Sequence, residues 1–273
     1  MDIEFIEAID STSTELIRRA LADGAGAIHA RAIVADRQTA GRGQYGRRWV
    51  DRGELPGASL LLSVGWAVPR EARLDGLSLS VGVVLAQVLE AWAKPPRALL
   101  LKWPNDVLLD GGKVGGILVE AVNPPQAQEG RAVVIGIGVN LCAAPDPVCP
   151  PEAAAGTVVP RALTPETSAP QALREAVLAR LLPRLEARLE GFVRDGFAKD
   201  RGAYQARMAW RGRAVRVEAG DGSIARGILL GVTSHGALRL EGAAGRLTLH
   251  SGTVRLDHEP PRAIEPVFEN RRS

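Results

Sequence analysis

A chain of 273 residues with 46% hydrophobic and 24% charged residues can bury one large core and a small second one, which excludes a fibrous or intrinsically disordered composition. A net charge of +3 argues against a surface dominated by phosphate-backbone binding, and no apolar run reaches the roughly eighteen residues of a membrane-spanning helix. The acidic start Met1-Asp2-Ile3-Glu4 does not read as a signal peptide, so a cytoplasmic location is expected.

Cys142 and Cys149 lie in a Pro/Ala-rich stretch with no histidine nearby, so the tight ligand spacing of a structural zinc site is missing and free thiols are expected. Of the 34 basic residues only Lys94, Lys102, Lys113 and Lys199 are lysine. A lysine is therefore unusual in this chain, and two of the four fall inside one motif.

In chain order, Thr12-x-x-Glu15 has capping-box spacing and predicts a helix from Ser13 to about Ala22. Short β-type runs follow at Ala32–Ala35 and Ser59–Trp66, and Leu74 to Trp92 carries apolar residues at helical spacing. Further β-type runs are Ala98–Lys102, Val107–Leu109, Ile117–Val122 and Val133–Asn140, with Asp110-Gly111-Gly112 as a hairpin turn. The Pro/Ala/Thr/Ser-rich stretch Ala143–Pro170 reads as a mobile loop or a chain of turns. Helical periodicity resumes over Gln171–Glu190, and a second helix is predicted from Phe192 to about Met208. After Trp210 five short alternating segments predict a small β-barrel: Ala214–Val217, Ile224–Leu230, Ala237–Leu240, Arg246–Leu249 and Val254–Leu256. Three units follow: a main domain over 1–209, a barrel over 210–258 and a frayed tail over 259–273.

Three stretches carry chemistry. Gln38-Thr39-Ala40-Gly41-Arg42-Gly43-Gln44-Tyr45-Gly46-Arg47-Arg48-Trp49 combines glycines, which let a ligand approach the backbone, with arginine forks matched to phosphate or carboxylate oxygens. A solvated basic turn, or a nucleic-acid contact loop with Tyr45 and Trp49 as stacking platforms, explains the same residues. Lys102-Trp103-Pro104-Asn105-Asp106 followed by Lys113-Val114-Gly115-Gly116-Ile117-Leu118-Val119-Glu120 is more specific. A hairpin over this span turns Lys113 back toward Asp106, setting a carboxylate suited to Mg²⁺ beside an ammonium suited to developing negative charge. A plain hairpin with a surface ion pair is the alternative. Ile135-Gly136-Ile137-Gly138-Val139-Asn140 is a strand whose glycines share one face, for close approach of a ligand or of a helix, with Asn140 able to reach a phosphate or metal.

Together these elements resemble the biotin protein ligase family, within the wider biotin/lipoate ligase superfamily, over roughly Ile9 to Leu141, and the terminal barrel fits that family's C-terminal domain. The resemblance implies an α+β fold with a mixed sheet flanked by helices, of the class II aminoacyl-tRNA synthetase-like kind, and an SH3-like C-terminal β-barrel. It implies biotin and ATP as substrates with Mg²⁺, biotinyl-5′-AMP as intermediate, and a biotin carboxyl carrier domain of a carboxylase as acceptor. By resemblance Ser11, Thr12, Ser13, Gln38, Gly41, Arg42, Lys113, Gly115 and Gly116 hold biotin. Gly43, Gln44, Arg47, Trp49, Asn105, Asp106 and Asn140 serve the nucleotide, Asp106 also its metal, and Lys113 and Arg42 are catalytic. Two positions depart from the common pattern: Ser13, where asparagine is frequent, and Gln44, where many members carry a third loop arginine. Some members also have an N-terminal DNA-binding helix-turn-helix; here the motifs begin by Ser11, so no DNA binding is expected, whereas an exposed sheet edge would let two copies pair as a homodimer. The competing readings are a lipoate or octanoate ligase or transferase of the same superfamily and a non-catalytic nucleic-acid-binding module.

Overall fold

The computed structural model describes residues 1–50, 55–93, 98–125, 130–145, 158–165 and 167–257. Seven strands form a mixed sheet in the order β1-β2-β3-β7-β6-β5-β4, with β1 (Asp2–Ile9), β2 (Arg31–Gln38), β3 (Ser59–Val68), β4 (Leu100–Lys102), β5 (Asp106–Leu109), β6 (Gly112–Val122) and β7 (Arg131–Asn140). Only β1 and β2 pair in parallel, because α1 (Thr12–Asp23) connects them. The β5–β6 turn follows from Asp110-Gly111, whose φ values of 47° and 79° meet the two-positive-φ requirement of a type I′ hairpin.

Strand alternation sends the residues of β6 and β7 to two environments. Ile117, Ile135, Ile137 and Val139 join the main core beneath α2 (Leu77–Leu89) and α3 (Pro170–Asp195). Val134 instead joins a small cluster under α1 with Leu16, Ala20, Ile28 and Ile33. The α1 face therefore covers only part of the sheet; the remainder carries Gly116 and Gly138, and Gly136 lies at the boundary beneath the start of α1. A second, antiparallel sheet in the order β11-β10-β9-β8-β12 comprises β8 (Ala214–Glu218), β9 (Ile224–Val232), β10 (Leu238–Gly242), β11 (Gly245–Leu249) and β12 (Thr253–Leu256).

Several expectations need correction. The N-cap of α1 is Ser11, whose hydroxyl accepts from the Thr14 N–H; Thr12 is helical, and Glu15 pairs with Arg18 and Arg19 rather than closing a capping box. β1 was not anticipated, since its acidic, exposed sequence at a sheet edge buries little to signal a strand. The first C-terminal helix runs on to Asp195 and stops at Gly196 (φ 61°), so the predicted second helix reduces to a 3₁₀ turn and α4 (Arg201–Ala206). The five C-terminal strands stand as predicted, but β11 and β12 are the two edges of an open sheet among the described residues. Cys149 and the central part of the 143–170 stretch, residues 146–157, lie outside the described residues, as do residue 166 and all of 258–273.

Candidate active site

A cleft opens on the uncovered sheet face, and register places its parts. One cross-strand row runs Ala35, Leu61, Gly138, Gly116, Asp106, Lys102 across β2, β3, β7, β6, β5 and β4. The next row on the same face carries Ile33, Ser63, Gly136 and Leu118. Glycine in the centre of both rows makes a trough, with neutral polar groups at one end and charge at the other.

The polar end is built by the start of α1. The Thr12 N–H donates to Gln38 Oε1 at 2.8 Å, and the Thr12 hydroxyl lies 2.7 Å from Ser63 Oγ and 3.2 Å from the same Gln38 oxygen. Ser13 Oγ is 2.9 Å from Ser63 Oγ. A Cβ at position 136 would come within 2.7 Å of Ser13 Oγ, so glycine there lets the helix start sit on the sheet.

The charged end depends on an irregularity in β6. Pairing runs Asp106↔Gly116 and Val107↔Gly115 but then Leu108↔Lys113, which leaves Val114 without a partner. This bulge returns Lys113 to the face of Gly116, where strict alternation would have turned it away. Its Nζ lies 2.5 Å from Asp106 Oδ1, while Lys102 Nζ lies 2.9 Å from Oδ2. Lys102 is almost fully buried, its ammonium 5.9 Å from the centre of the Trp210 ring. Burial alone would push the Asp106 carboxyl up; the two ammoniums, Lys102 foremost, outweigh it and hold Asp106 below the usual aspartate range. Residues 159–161 clamp the Lys113 main chain, with Lys113 N–H to Val159 O at 2.7 Å and Arg161 N–H to Lys113 O at 2.8 Å.

Over the trough lies a small hairpin flap. Trp49 N–H donates to Gly41 O at 3.0 Å and Gly43 N–H to Arg47 O at 2.8 Å. A Cβ on Gly41 would sit 2.6 Å from the Trp49 carbonyl, so this crossing requires glycine. The flap touches the second sheet: Tyr45 Oη accepts from the Gly252 N–H at 3.3 Å, and Arg47 donates to Thr253 Oγ1 at 3.4 Å. The Trp49 indole lies on Gly138 and Gly116, 5.7 Å from the Lys113 ammonium, and its Nε1 is buried without a partner among the described residues. The cleft keeps about 150 Å³ of free space, below the roughly 300–1,000 Å³ of ligand pockets, because the indole fills part of it.

Ser11, Thr12, Ser13, Gln38, Arg42, Gly43, Gln44, Arg47, Trp49, Asn105, Asp106, Lys113 and Gly116 all line this cleft. Three expected site residues do not. Gly41 sits at the flap base, and Gly115, one residue from Gly116, faces the other way against Val139 and Val107. Asn140 is buried behind Lys113, its amide donating to the Lys113 carbonyl at 3.4 Å and the Arg161 carbonyl at 3.2 Å, so it holds the lysine's strand rather than facing a ligand. Asn105 lines the cleft while its amide also donates to Ile117 O at 2.8 Å, pinning the β4–β5 turn to β6. Sequence reasoning assigned no role to Lys102 or Ser63. A charged partner four residues from Asp106 across a turn, and a lone serine inside Leu60-Leu61-Leu62-Ser63-Val64, were the available signals.

Residues 6–140 match the biotin/lipoate A/B protein ligase family, and residues 212–257 match the C-terminal domain of biotin protein ligases. The chain is 36% identical over 254 residues to a biotin--[acetyl-CoA-carboxylase] ligase of Paracoccus denitrificans, covering 90% of this chain and 96% of that one. A Mycobacterium tuberculosis protein of the same name is 35% identical over 256 residues, covering 92% and 88%. In fold, the chain resembles the biotin protein ligase of Aquifex aeolicus solved with biotin and ATP, with TM-score 0.73 and 24% identity over 94% of this chain and 99% of that one. The chain belongs to the biotin protein ligase family and is a ligase.

Proposed function

We propose that the cleft joins biotin to ATP, forming biotinyl-5′-AMP with release of pyrophosphate, and then transfers the biotinyl group to a lysine of a biotin carboxyl carrier domain. The carrying observation is the polarity of the trough: neutral hydroxyl and amide groups at the Thr12–Ser63–Gln38 end, and two lysines around one carboxylate at the other. The neutral end suits an uncharged ring with N–H and C=O groups. The cationic end suits the meeting of a carboxylate with a phosphate, two anions that otherwise repel.

In the first step a biotin carboxylate oxygen attacks the α-phosphorus; the new O–P bond replaces the bond to pyrophosphate. Lys113 offsets charge on the incoming carboxylate and on the α-phosphate, and Asp106 aims that ammonium. Arg42, on the flap, adds a second cation, and closure of the flap excludes water that would hydrolyse the anhydride. In the second step a neutral lysine amine attacks the biotinyl carbonyl, an amide forms and AMP leaves.

Asp106 is the only acidic residue lining the cleft among the described residues, and no group of three or more His, Cys, Asp or Glu gathers there to cage a metal. The magnesium of a nucleotide needs one or two carboxylates plus phosphate oxygens. Both Asp106 oxygens are held by ammoniums, so Asp106 would reach the ion only by releasing Lys113 to the substrate anions, and the ion would rest mainly on phosphate oxygens and supply positive charge against them.

We read residues 1–209 as the catalytic unit and 210–258 as a C-terminal unit closing into an SH3-like barrel, supported by its five-strand antiparallel order and by Gly252 and Thr253 at the cleft rim. The relatives' names favour a carboxylase carrier domain as acceptor. The reading includes no DNA partner and a cytoplasmic location, where ATP and acceptor are found together. The outer edge of β1, with Ile3 and Phe5 exposed, is where two copies would pair. The deciding experiment is incubation with biotin, ATP, Mg²⁺ and a purified carrier domain. A mass increase of one biotinyl group on one lysine supports the reading; labelling with octanoate or lipoate in its place overturns it.

A further inference from the structure

Glu120 ends the Lys113–Glu120 motif, and the chemistry above gives it nothing to do. We infer that Glu120 is a positioning residue that parks Arg42 away from the reacting corner and yields it to an anionic substrate. The inference rests on the adenylate-forming reading of the cleft and assigns a step that reading leaves open.

Arg42 Nη2 lies 2.6 Å from Glu120 Oε1, joining the flap to a strand 78 residues away. Glu120 shares the face of Gly116 and Leu118 on β6, and four strand residues put it about 13 Å from Gly116. The Lys113 ammonium belongs to the Gly116 end, 3.2 Å from where a Cβ on Gly116 would be. While the pair holds, the Arg42 guanidinium is anchored at the far end of the trough, and Arg42 and Lys113 do not converge on one carboxylate–phosphate junction.

The form of the pair suits exchange. An arginine fork can engage both oxygens of a carboxylate, yet here one nitrogen meets one oxygen, and Glu120 Oε2 is buried without a partner among the described residues. A contact selected for stability alone would fill that acceptor, since an unfilled one costs free energy. The Arg42 side chain is 43% exposed, so the guanidinium leaves without opening the core. The remaining side-chain ties of the flap to the second sheet are long, at 3.3 and 3.4 Å. A phosphate or carboxylate entering the cleft thus competes with Glu120 for one cation, and its differential hold on the released flap shifts the population.

The test compares Glu120→Gln, which keeps the shape and removes the charge, with Arg42→Ala and the double variant; Glu120→Ala serves as a second probe of the same direction. In ligand-free protein, amide exchange at Gly43 and Trp49 is expected to speed up roughly two- to fivefold in Glu120→Gln, the range a partly exposed ion pair supports, and not to change when Glu120→Gln is added to Arg42→Ala. With biotin present, α,β-methylene ATP is expected to bind Glu120→Gln tighter by a similar factor. Unchanged exchange, an equal change in the Arg42→Ala background, or weaker nucleotide binding in a Glu120→Gln protein of normal melting temperature overturns the role. If the wild-type protein binds neither biotin nor nucleotide, the ligase reading fails, while the ligand-free exchange comparison still decides the latch.

Discussion

Lys113 reaches Asp106 at 2.5 Å because β6 holds one residue more than β5 between the pairs Val107↔Gly115 and Leu108↔Lys113. The extra residue, Val114, is fully buried on the core side, so the bulge is anchored by packing while it re-aims the lysine. The site's chemistry is thus set by a register defect between β5 and β6.

The glycine floor is the most exposed to a single-atom test. A methyl at position 138 would lie 2.5 Å from the Trp49 ring, and the backbone beneath is the central strand, so the indole must move. Gly138→Ala is expected to shift Trp49 fluorescence and to weaken biotin binding about fivefold or more, as over-packing of about 1–3 kcal/mol implies. Calorimetry with biotin measures it; unaltered affinity would mean the ligand does not use this floor.

Ser63 is fully buried and serves both Thr12 and Ser13. Ser63→Ala leaves those hydroxyls short of a partner, at a cost of about 1–3 kcal/mol. A melting temperature lower by several degrees and a raised KM for biotin with kcat nearly unchanged are expected. A change in kcat alone would place Ser63 in the chemical step instead.

Burial pushes the Asp106 carboxyl up, but the charges of Lys102 and Lys113 and their hydrogen bonds overcome it and hold the group below the ordinary aspartate range. The sign follows from a depressed folded-state value: its contribution to stability is complete above the unfolded aspartate pKa, about 3.9, and is lost as pH falls through the lower folded value. Lys102→Met removes the larger of the two charge attractions, so the carboxyl rises. The acid limb of the pH–rate profile and the acid-unfolding midpoint are both expected to move to higher pH. Coincident profiles for variant and wild type would remove Lys102 from the account.

Gln44 lines the cleft on the flap, its carbonyl accepting from the Arg47 N–H at 3.2 Å, and carries no charge. Gln44→Arg adds one charge-assisted contact to a bound anion, worth about 1.5–3 kcal/mol where buried. Release of preformed biotinyl-AMP, followed by rapid gel filtration, is expected to slow about tenfold or more. Equal release rates would show that position 44 does not touch the intermediate.

Much of this was legible in the residues. The glycine-bearing β7, the Asp110-Gly111 turn and the Gly/Arg-rich loop announced themselves by local rules, since turns and glycine placement depend on neighbours in sequence; β6 was expected only from Ile117 and begins at Gly112. Side chains whose facing depends on pairing were not legible. Alternation should have excluded Gly115 once Gly116 was accepted, whereas Lys113 faces the cleft only through the bulge at Val114. Asn140 shares a face with Gly136 and Gly138 but is taken up by the carbonyls of Lys113 and Arg161, a contact made by a chain segment far along the sequence. The Arg42–Glu120 pair and the packing of Trp210 over Lys102 likewise join elements separated by dozens of residues. β1 escaped notice because an edge strand with one partner needs no hydrophobic face.

The most direct measurement is pyrophosphate release and biotinyl-AMP formation in a single turnover, comparing wild type with Lys113→Ala. The Lys113 ammonium is one-third exposed and Lys102 still pairs with Asp106, so the variant should fold normally. Wild type is expected to yield one equivalent of biotinyl-AMP and Lys113→Ala to be slower by about 10²–10³, the cost of removing one preorganised charge donor. Wild-type rates from a folded Lys113→Ala protein would contradict the account.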